Sequence, residues 1–329
     1  MCTSIAHCSG GYFGRTLDLP TPFGQQVIVT PRRFCFPFHL RPSLESHFAM
    51  IGMAAGVREY PLYAEAMNEK GLYMAGLNFP DNAFYPGEPF APGAVAPYEL
   101  IPLVLGSCET LAQARQLLET LPLAAIPFAP GYPLAPLHWQ VADSTGAFVM
   151  EHTRDGIHIY DDPAGALTNN PPFPFQMTNL AGYQNLTSQP VENRLIPGLS
   201  LEVYGQGMGA MGLPGDVSPM SRFVRAAFLK NNALWGEEEL ENVTQFFHIL
   251  DGVSMVKGSV ITPEGEPDLT LYACCCSART QSYYYKTYTN NQICAVCMAS
   301  CHLDGSELSI YPLQTTQQIL WQTEPPKKF

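Results

Sequence analysis

The residue best placed for covalent chemistry is Cys2, which directly follows Met1 in the opening sequence MCTSIAH. If Met1 is removed, Cys2 carries both a thiol and a free α-amine. A cysteine thiol has a pKa of about 8.5 and reacts as the thiolate, whereas an α-amine titrates at about 7.7–8.0. Part of the amine is therefore unprotonated at neutral pH and can take the thiol proton. The pair predicts an N-terminal nucleophile that serves as its own base, although position alone also fits an ordinary small residue after Met1.

Two charged residues follow in the segment GRTLD, namely Arg15 and Asp18. A cation near a thiol favours the thiolate, and a carboxylate near an amine can orient it. Strict alternation along a strand places positions 15 and 18 on opposite faces. Both can therefore serve one site only where the strand ends or bulges. The simpler alternative is a charged pair on the surface.

Three further polar residues occur in apolar surroundings. Asn78 ends the segment AGLN, Asn169 lies in LTNNPP, and Arg222 lies in the first turn of a predicted helix. Asparagine amides are effective oxyanion donors, each lowering a barrier by about 2.7–4 kcal/mol. An asparagine beside proline or glycine is also typical of turns, and these residues alone leave that alternative open.

Two other motifs resemble binding sites but lack their usual context. The glycines at 207–212 match a dinucleotide-binding fingerprint, yet Pro214 follows where a helix should begin. The cysteines within 294–302, with others at 274–276, could hold zinc or respond to redox state. They lie in apolar, strand-like segments, which favours buried inert thiols. We expect no metal and no cofactor, and a zinc-stabilised or redox-active cysteine protein is the alternative from another class.

The elements that would position these residues are strands near both ends of the chain and helices in the middle. Residues 62–77 predict a hairpin that turns at 68–71. Thr110 begins a capping box and Ser218 precedes a proline, so each predicts a helix start. The last five residues are predicted to fray. This order suits one α+β domain over residues 1–329, with predicted strands at 11–19, 26–30, 138–143, 147–152, 271–277, 281–288 and 292–298 and helices at 110–121, 218–230 and 236–250.

Composition restricts the classes of partner. The chain has 329 residues, is 46% hydrophobic and carries a net charge of −12, which argues against nucleic acid and anionic membranes. It has no apolar run of the ~18 residues needed to cross a bilayer and no visible targeting segment. A cytoplasmic location with reduced cysteines is therefore expected. Only 14% of the residues are charged, which suggests that a partner subunit covers part of the surface.

A set of short motifs follows in order along the chain. They are MCT at the start, FGRTLD, MNEKGL with AGLNFP, LTNNPPF, and GLPGD with SPMSRF. Together they resemble the choloylglycine hydrolases, N-terminal-nucleophile amidohydrolases that include bile salt hydrolases and penicillin V acylases. The resemblance continues through FFHIL, YYYKTY and NNQI and so covers nearly the whole chain. One departure is that the segment between Cys2 and Arg15 is shorter than is usual in that family.

The resemblance implies a four-layer αββα sandwich, with two antiparallel sheets between helical layers. It implies a nucleophile exposed by removal of Met1 alone, with no metal or cofactor, and often a homotetramer. In the implied mechanism two asparagines and the backbone at the nucleophile hold the oxyanion. Two arginines tune the charge, and an aspartate orients the amine. The residues in these roles would be Cys2, Arg15, Asp18, Asn78, Asn169 and Arg222.

Substrate choice is predicted from loops around the site. Asn78 in AGLNFP resembles the bile-salt-hydrolysing members, which predicts hydrolysis of glycine- or taurine-conjugated bile salts. A penicillin V acylase or another N-acyl amidase is the alternative. A steroid face needs an apolar lining, which loops 19–25, 56–62 and 125–137 offer unless their side chains only fill the core. Segment 204–207 resembles a loop linked in this family to glycine conjugates. The predicted substrate-binding residues are Leu19, Phe23, Tyr60, Ile126, Phe128, Tyr132, Leu134, Leu137, Gly205, Gln206 and Gly207.

Overall fold

The computed structural model describes residues 1–57 and 59–322. The last five residues, which are predicted to fray, lie outside the described residues, as does one position of the loop 56–62. The strands are β1 (Cys2–His7), β2 (Tyr12–Leu19), β3 (Gln25–Thr30), β4 (Met50–Val57), β5 (Tyr60–Asn68), β6 (Tyr73–Asn78), β7 (Leu137–Asp143), β8 (Gly146–Thr153), β9 (Gly156–Asp161), β10 (Ala166–Leu167), β11 (Val260–Ile261), β12 (Pro267–Ser277), β13 (Ser282–Thr287), β14 (Asn290–Cys297) and β15 (Ser309–Tyr311). The α-helices are α1 (Leu100–Ser107), α2 (Leu111–Leu118), α3 (Phe173–Leu180), α4 (Pro219–Asn232) and α5 (Glu239–Asp251).

The strands form two antiparallel sheets. The first has the order β10-β1-β2-β12-β13-β14, with β11 paired to β12. The second has the order β15-β3-β4-β5-β6-β7-β8-β9. The N-terminal β2 pairs on one side with β1 and on the other with β12, which comes from the far end of the chain. Strands β1 and β2 from the start of the chain and β12 from its far end therefore lie side by side.

The two sheets stack between helices. Helices α4 and α5 pack on the outer face of the first sheet against β1, β2 and β12, while α1 and α2 pack on the outer face of the second sheet. The inner faces pack on each other, with contacts between β1 and β6 and between β13 and β4. One apolar core joins α4, α5, the first sheet and the inner face of the second, and another lies under α1 and α2. The predicted αββα sandwich of class α+β is confirmed.

Local signals set the helix starts that position the site. Thr110 caps α2 by accepting the N–H of Gln113 at its hydroxyl (3.3 Å). Ser218 caps α4 in the same way through the N–H of Ser221 (3.4 Å), and Pro219 is the first helical residue. Both predicted N-caps are confirmed, but Oε1 of Gln113 accepts the N–H of Glu109 (2.7 Å) instead of that of Thr110, so the predicted capping box has only its first hydrogen bond. The α4 cap matters most, because the first turn of α4 carries Arg222.

The predicted hairpin is formed by β5 and β6. The side-chain oxygen of Asn68 accepts the N–H groups of Lys70 and Leu72 (both 3.0 Å), and Gly71 adopts a φ of 87°. A residue with a Cβ is disfavoured at that φ. The turn fixes the register of the two strands, and so places Glu65 of β5 and Asn78 of β6 on the second sheet.

Several elements differ from the sequence-based prediction, since β1, β4, β9, β10, β11, β15, α1 and α3 were not predicted. Helix α1 and strand β12 illustrate two of the physical reasons. Helix α1 was not predicted, because it is apolar and buried on nearly every side and has no amphipathic stripe. Strand β12 begins at Pro267, before the predicted residue 271, because the polar Asp268 and Thr270 face other buried polar groups there. Across the described residues, no helix has the length and apolar character needed to cross a membrane.

Candidate active site

Cys2 is the first residue of β1, and contacts of the next two residues show which face each side chain uses. Thr3 faces the helical layer, because its hydroxyl accepts from Arg222 of α4 (2.6 Å). Ser4 faces the second sheet, because its hydroxyl donates to Gln140 (2.6 Å). Side chains alternate along a strand. Cys2 therefore directs its thiol into the space between the sheets, and the residue is only 5% exposed.

The backbone of Cys2 is held by two of the predicted site residues. Its nitrogen donates to Oδ1 of Asn169 (2.9 Å), and its carbonyl oxygen accepts from Nη1 of Arg222. Nη2 of Arg222 donates to the same Asn169 atom (2.7 Å). Because two donors meet this atom, it must be the amide oxygen. Asn169 and Arg222 therefore orient the nitrogen that becomes an α-amine when Met1 is removed.

Asn78 lies beside Asn169 at the end of β6. Nδ2 of Asn169 donates to the backbone oxygen of Asn78 (2.7 Å). The half-buried side-chain amide of Asn78 has no hydrogen-bond partner among the residues that the structure describes. Asn169 thus uses its oxygen twice and its Nδ2 once, whereas the amide of Asn78 is free to donate to another group.

Arg15 extends from β2 towards the second sheet and is fully buried. Its Nη1 donates to the backbone oxygens of Gly76 (2.5 Å) and Ala64 (3.2 Å) and lies 3.7 Å from Oε2 of Glu65. Its Nη2 has no hydrogen-bond partner within residues 1–57 and 59–322. Burial opposes the charge of Arg15, but nearby anionic groups, the Cys2 thiolate first among them, outweigh it and raise the pKa of Arg15. The guanidinium is therefore a permanent cation near the thiol.

Asp18 is also fully buried, and it contacts the chain terminus. Its Oδ1 accepts from the hydroxyl of Thr270 (2.6 Å), and its backbone oxygen accepts from the nitrogen of Met1 (2.5 Å). Burial raises the pKa of the Asp18 carboxyl, while the charges of Arg222 and of the N-terminus oppose that rise. With Met1 in place, the N-terminus meets Asp18 through its backbone and not through its carboxylate.

Arg15 and Asp18 lie on opposite faces of β2, and their positions explain how both reach one site. β2 pairs with β1 without a bulge from Tyr12 to Leu17, so the two side chains lie on opposite faces. Cys2 is the terminal residue of β1, so its thiol and its backbone nitrogen can be approached from different faces. The sequence required the strand that carries both residues to end or bulge there, and the pairing of β2 with β12 does shift register opposite Leu17 and Asp18, between Thr270 and Tyr272. The structure brings all six predicted catalytic residues together around the start of β1.

Sequence reasoning missed three polar residues of the site: Glu65, Asp268 and Thr270. Glu65 is the acid within the apolar strand LYAEAM, which is a detectable signal. Oδ2 of Asp268 lies 3.5 Å from the nitrogen of Met1. Asp268 and Thr270 precede the apolar run from which the strand was predicted, so no sequence signal linked them to the N-terminus.

Comparison with known families matches residues 2–311 to the linear amide C–N hydrolases of the choloylglycine hydrolase family. The chain belongs to the choloylglycine hydrolase family. It is therefore an amide C–N hydrolase, and the matched range contains every predicted catalytic residue. Membership of a hydrolase family replaces the alternative of a zinc-stabilised or redox-active cysteine protein.

Relatives within the choloylglycine hydrolase family extend over the whole chain. A bile salt hydrolase/transferase of Lactiplantibacillus plantarum is 43% identical over 97% of this chain and 98% of its own length. A bile salt hydrolase/transferase of Clostridium perfringens is 37% identical over 97% of this chain and 99% of its own. The crystal structure of a mutant conjugated bile acid hydrolase from C. perfringens superimposes with a TM-score of 0.89 at 36% identity, covering 98% of this chain and 99% of that one. Penicillin V acylase from Agrobacterium tumefaciens gives a TM-score of 0.76 at 17% identity, covering 97% and 99%, which shows a shared fold alone.

In this choloylglycine hydrolase the predicted lining residues pack against two different cores. Leu19 and Phe23 pack against the core that contains Cys2. Tyr60 and Phe128 pack against the core under α1 and α2, and line a cavity of about 570 Å³. None of the predicted catalytic residues, all of which the structure describes, lines that cavity. The other predicted residues are half-buried or exposed, and they are Ile126, Tyr132, Leu134, Leu137, Gly205, Gln206 and Gly207.

The other sequence motifs have structural explanations. The glycines at 207–212 surround a single 3-10 turn, Met208–Ala210, and do not begin an α-helix. Cys274–Cys276 are fully buried in β12, and burial raises the pKa values of their thiols. Within the described part of the chain, no group of three or more His, Cys, Asp or Glu side chains is arranged to hold a metal ion.

Asp216 precedes α4, and we expect it to stabilise the helix that carries Arg222. Its carboxylate accepts the N–H of Ser218 (2.9 Å) and the hydroxyl of Ser221 (2.6 Å). These hydrogen bonds lower the pKa of Asp216 from 3.8 to about 2. Their contribution to stability is thus complete above pH ~4 and is lost as the pH falls through about 2. Asp216→Ala should lower Tm by about 1–3 °C at pH 7.

Thermal unfolding followed by circular dichroism at several pH values tests this expectation. The difference in Tm between the native protein and Asp216→Ala should narrow as the pH falls from 4 towards 2. A difference that stays constant over that range would contradict the assigned hydrogen bonds.

Proposed function

We propose that this choloylglycine hydrolase cleaves the amide bond of glycine- or taurine-conjugated bile salts, with Cys2 as the nucleophile. The observation that carries the proposal is the setting of Cys2, whose thiol faces the inter-sheet space near Arg15 while its nitrogen is held by Asn169. The substrate class is supported by two relatives named bile salt hydrolase/transferase, at 43% and 37% identity.

In the proposed first step, loss of Met1 turns the Cys2 nitrogen into an α-amine. Sγ of Cys2 forms a bond to the substrate carbonyl carbon, and the thiol proton moves to that amine. Arg15 favours the attacking thiolate through its charge. The hydrogen bond from the Cys2 nitrogen to Oδ1 of Asn169 (2.9 Å) would keep the amine in place beside the thiol.

Negative charge then develops on the substrate carbonyl oxygen. We assign its main donor as the side-chain amide of Asn78, which is free among the described residues. Oδ1 of Asn169 accepts from the Cys2 nitrogen, and one Nδ2 hydrogen is used by the Asn78 backbone oxygen, so we assign Asn169 mainly to orienting the amine. This assignment differs from the role in oxyanion binding that the sequence predicts for Asn169.

The remaining steps need only protein groups and water. The carbonyl C–N bond breaks while the leaving amino acid takes the proton from the α-amine of Cys2, and a thioester remains. Water then adds to the thioester carbonyl, releases the bile acid and returns a proton to the thiol. The products are a free bile acid and glycine or taurine.

The experiment that tests this function measures glycine released from glycocholate, with penicillin V cleavage followed under the same conditions. We expect a clearly higher kcat/KM for glycocholate. The opposite ranking would retain the amide hydrolase but assign it to the penicillin V acylases. Absence of cleavage of either substrate by protein that lacks Met1 would contradict the proposal. Intact mass spectrometry should show that one methionine residue is missing.

We further propose that the chain forms one domain over residues 1–329 and assembles as a cytoplasmic homotetramer. Segment 191–204 exposes large apolar side chains, among them Leu195 (82% exposed) and Tyr204 (83% exposed). Contiguous exposed apolar surface is typical of protein interfaces. Native mass spectrometry should detect four chains, and a stable monomer would contradict the assembly.

A further inference from the structure

Glu65 is a carboxylate buried between the two sheets, on β5, with no exposed surface. Its Oε2 accepts from the hydroxyl of Tyr272 (2.8 Å), and its Oε1 accepts from the hydroxyl of Tyr283 (2.6 Å). The thiol of Cys274 also donates to Oε1 (3.5 Å). A buried carboxylate is costly unless it is paired and hydrogen-bonded. The three donors lie on the first sheet and the carboxylate lies on the second. Packing of the two sheets therefore gives Glu65 a polar site in which its oxygens are hydrogen-bonded.

The cation that compensates Glu65 is Arg15. Oε2 of Glu65 lies 3.7 Å from Nη1 of Arg15, and both side chains are buried. The other acceptors of Nη1 are the neutral backbone oxygens of Gly76 and Ala64. The Cys2 thiol faces the same inter-sheet space as Arg15, and its negative charge when ionised is the largest of the charges that raise the pKa of Arg15. One cation is therefore shared between two groups that carry negative charge when ionised, the carboxylate of Glu65 and the thiolate of Cys2.

We propose that Glu65 is a positioning residue that shares the charge of Arg15 with the nucleophile and so limits how strongly that charge stabilises the Cys2 thiolate. This inference rests on the proposed role of Cys2 as nucleophile. While the thiol is protonated, Glu65 neutralises the buried guanidinium. When the thiolate forms, the carboxylate remains a nearby like charge and limits the extent of ionisation. Glu65 thus prevents Cys2 from being trapped as an over-stabilised thiolate, which would be a weaker nucleophile.

The other titratable groups around this pair are neutral near pH 7 or lie on the far face of the first sheet. Burial raises the pKa values of the phenols and thiols that face it from β6, β12 and β13, which are Tyr73, Tyr272, Cys274, Cys276 and Tyr283. Arg222 acts on Cys2 from the helical side, and the charges of Arg222 and Asp18 act on each other. Burial also raises the pKa of Glu65, and the charge of Arg15 opposes that rise.

The test measures the rate at which iodoacetamide alkylates Cys2 as a function of pH, read from the mass of the N-terminal peptide. Glu65→Gln removes the charge but keeps the shape, so the apparent pKa of Cys2 should fall by about one unit. The acid limb of the pH profile of kcat/KM should move in the same direction. Glu69→Gln is the matched control, because Glu69 lies in the same hairpin but pairs with Arg32, and it should leave the Cys2 profile unchanged.

Glu65→Asp covers the case in which Glu65→Gln does not fold. It keeps the charge but withdraws it from Arg15, so it should shift the apparent pKa of Cys2 downwards by a smaller amount. An unchanged or raised apparent pKa of Cys2, in whichever variant folds, would overturn the inference. If Tm also fell, the result would mean that Glu65 has a purely structural role. Alkylation needs no bile salt. Failure of the native protein to cleave glycocholate would therefore count against the proposed function. The alkylation profiles would still test the effect of Glu65 on Cys2.

Discussion

Cys2→Ala should abolish amide hydrolysis and leave the fold intact. The proposed mechanism forms its only covalent bond to substrate through Sγ of Cys2, so we expect kcat to fall by at least ~10⁴-fold, as on removal of other catalytic nucleophiles. The thiol is one small group at a position that is 5% exposed. Its loss should cost about 1 kcal/mol of unfolding free energy, as for a single buried methyl group. Glycine release and thermal unfolding measure the two effects.

The control for this variant is Cys35→Ala, since Cys35 is an exposed free cysteine. It should retain full activity. Retained turnover in Cys2→Ala would remove the basis of the mechanism. Loss of activity together with a large fall in Tm would mean that Cys2 is needed for folding and would leave its chemical role without support.

Asn169→Ala should give the second largest loss of activity, because Asn169 holds the Cys2 nitrogen, which is the proposed base. Its Oδ1 accepts from both the Cys2 nitrogen (2.9 Å) and Nη2 of Arg222 (2.7 Å). Without it, the α-amine loses its orientation and the buried Arg222 loses one acceptor. We expect kcat to fall by about 10²–10³-fold and the unfolding free energy to fall by about 1–3 kcal/mol. Steady-state kinetics with glycocholate and denaturant unfolding provide the two readouts.

Asn170→Ala is the matched control for Asn169→Ala. Asn170 is the adjacent residue in the same LTNNPP motif, but its Nδ2 donates to the backbone oxygen of Pro80 (2.8 Å) and not to the nucleophile. It should retain most of the native kcat. Equal losses in the two variants would indicate that the loop as a whole matters and that the contact of Asn169 with Cys2 does not.

Much of the fold and of the site could be predicted from local sequence. The proposed role of Cys2 was inferred from its position behind Met1, and the caps at Thr110 and Ser218 follow from short-range hydrogen bonding that few residue types can supply. The turn at 68–71 similarly needs a residue that tolerates positive φ. Such signals act within a few residues, so they can be read before the tertiary structure is known.

The contacts across the sheets could not be predicted in this way. The pairing of Arg15 with Glu65 joins residues on different sheets, and no local pattern states which strands will face each other. The predicted lining residues failed to form one group for the same reason, since Tyr60 begins β5 on one core whereas Phe23 lies between β2 and β3 on the other. Helix α1 escaped prediction because complete burial removes the amphipathic period that reveals a surface helix.

The sequence by itself determined the nucleophile candidate, the ordered motifs that indicate the family, and the class of fold. These depend on residue type and on spacing along the chain. Only the tertiary structure decided that β1 begins at Cys2 beside Leu17 of β2, so that Arg15 and Asp18 approach it from opposite faces. Only the tertiary structure also engaged Asn169 with the Cys2 nitrogen and placed Glu65 behind Arg15. The physical reason is that these hydrogen bonds and charges act through space between distant segments, and packing of the sheets sets those distances.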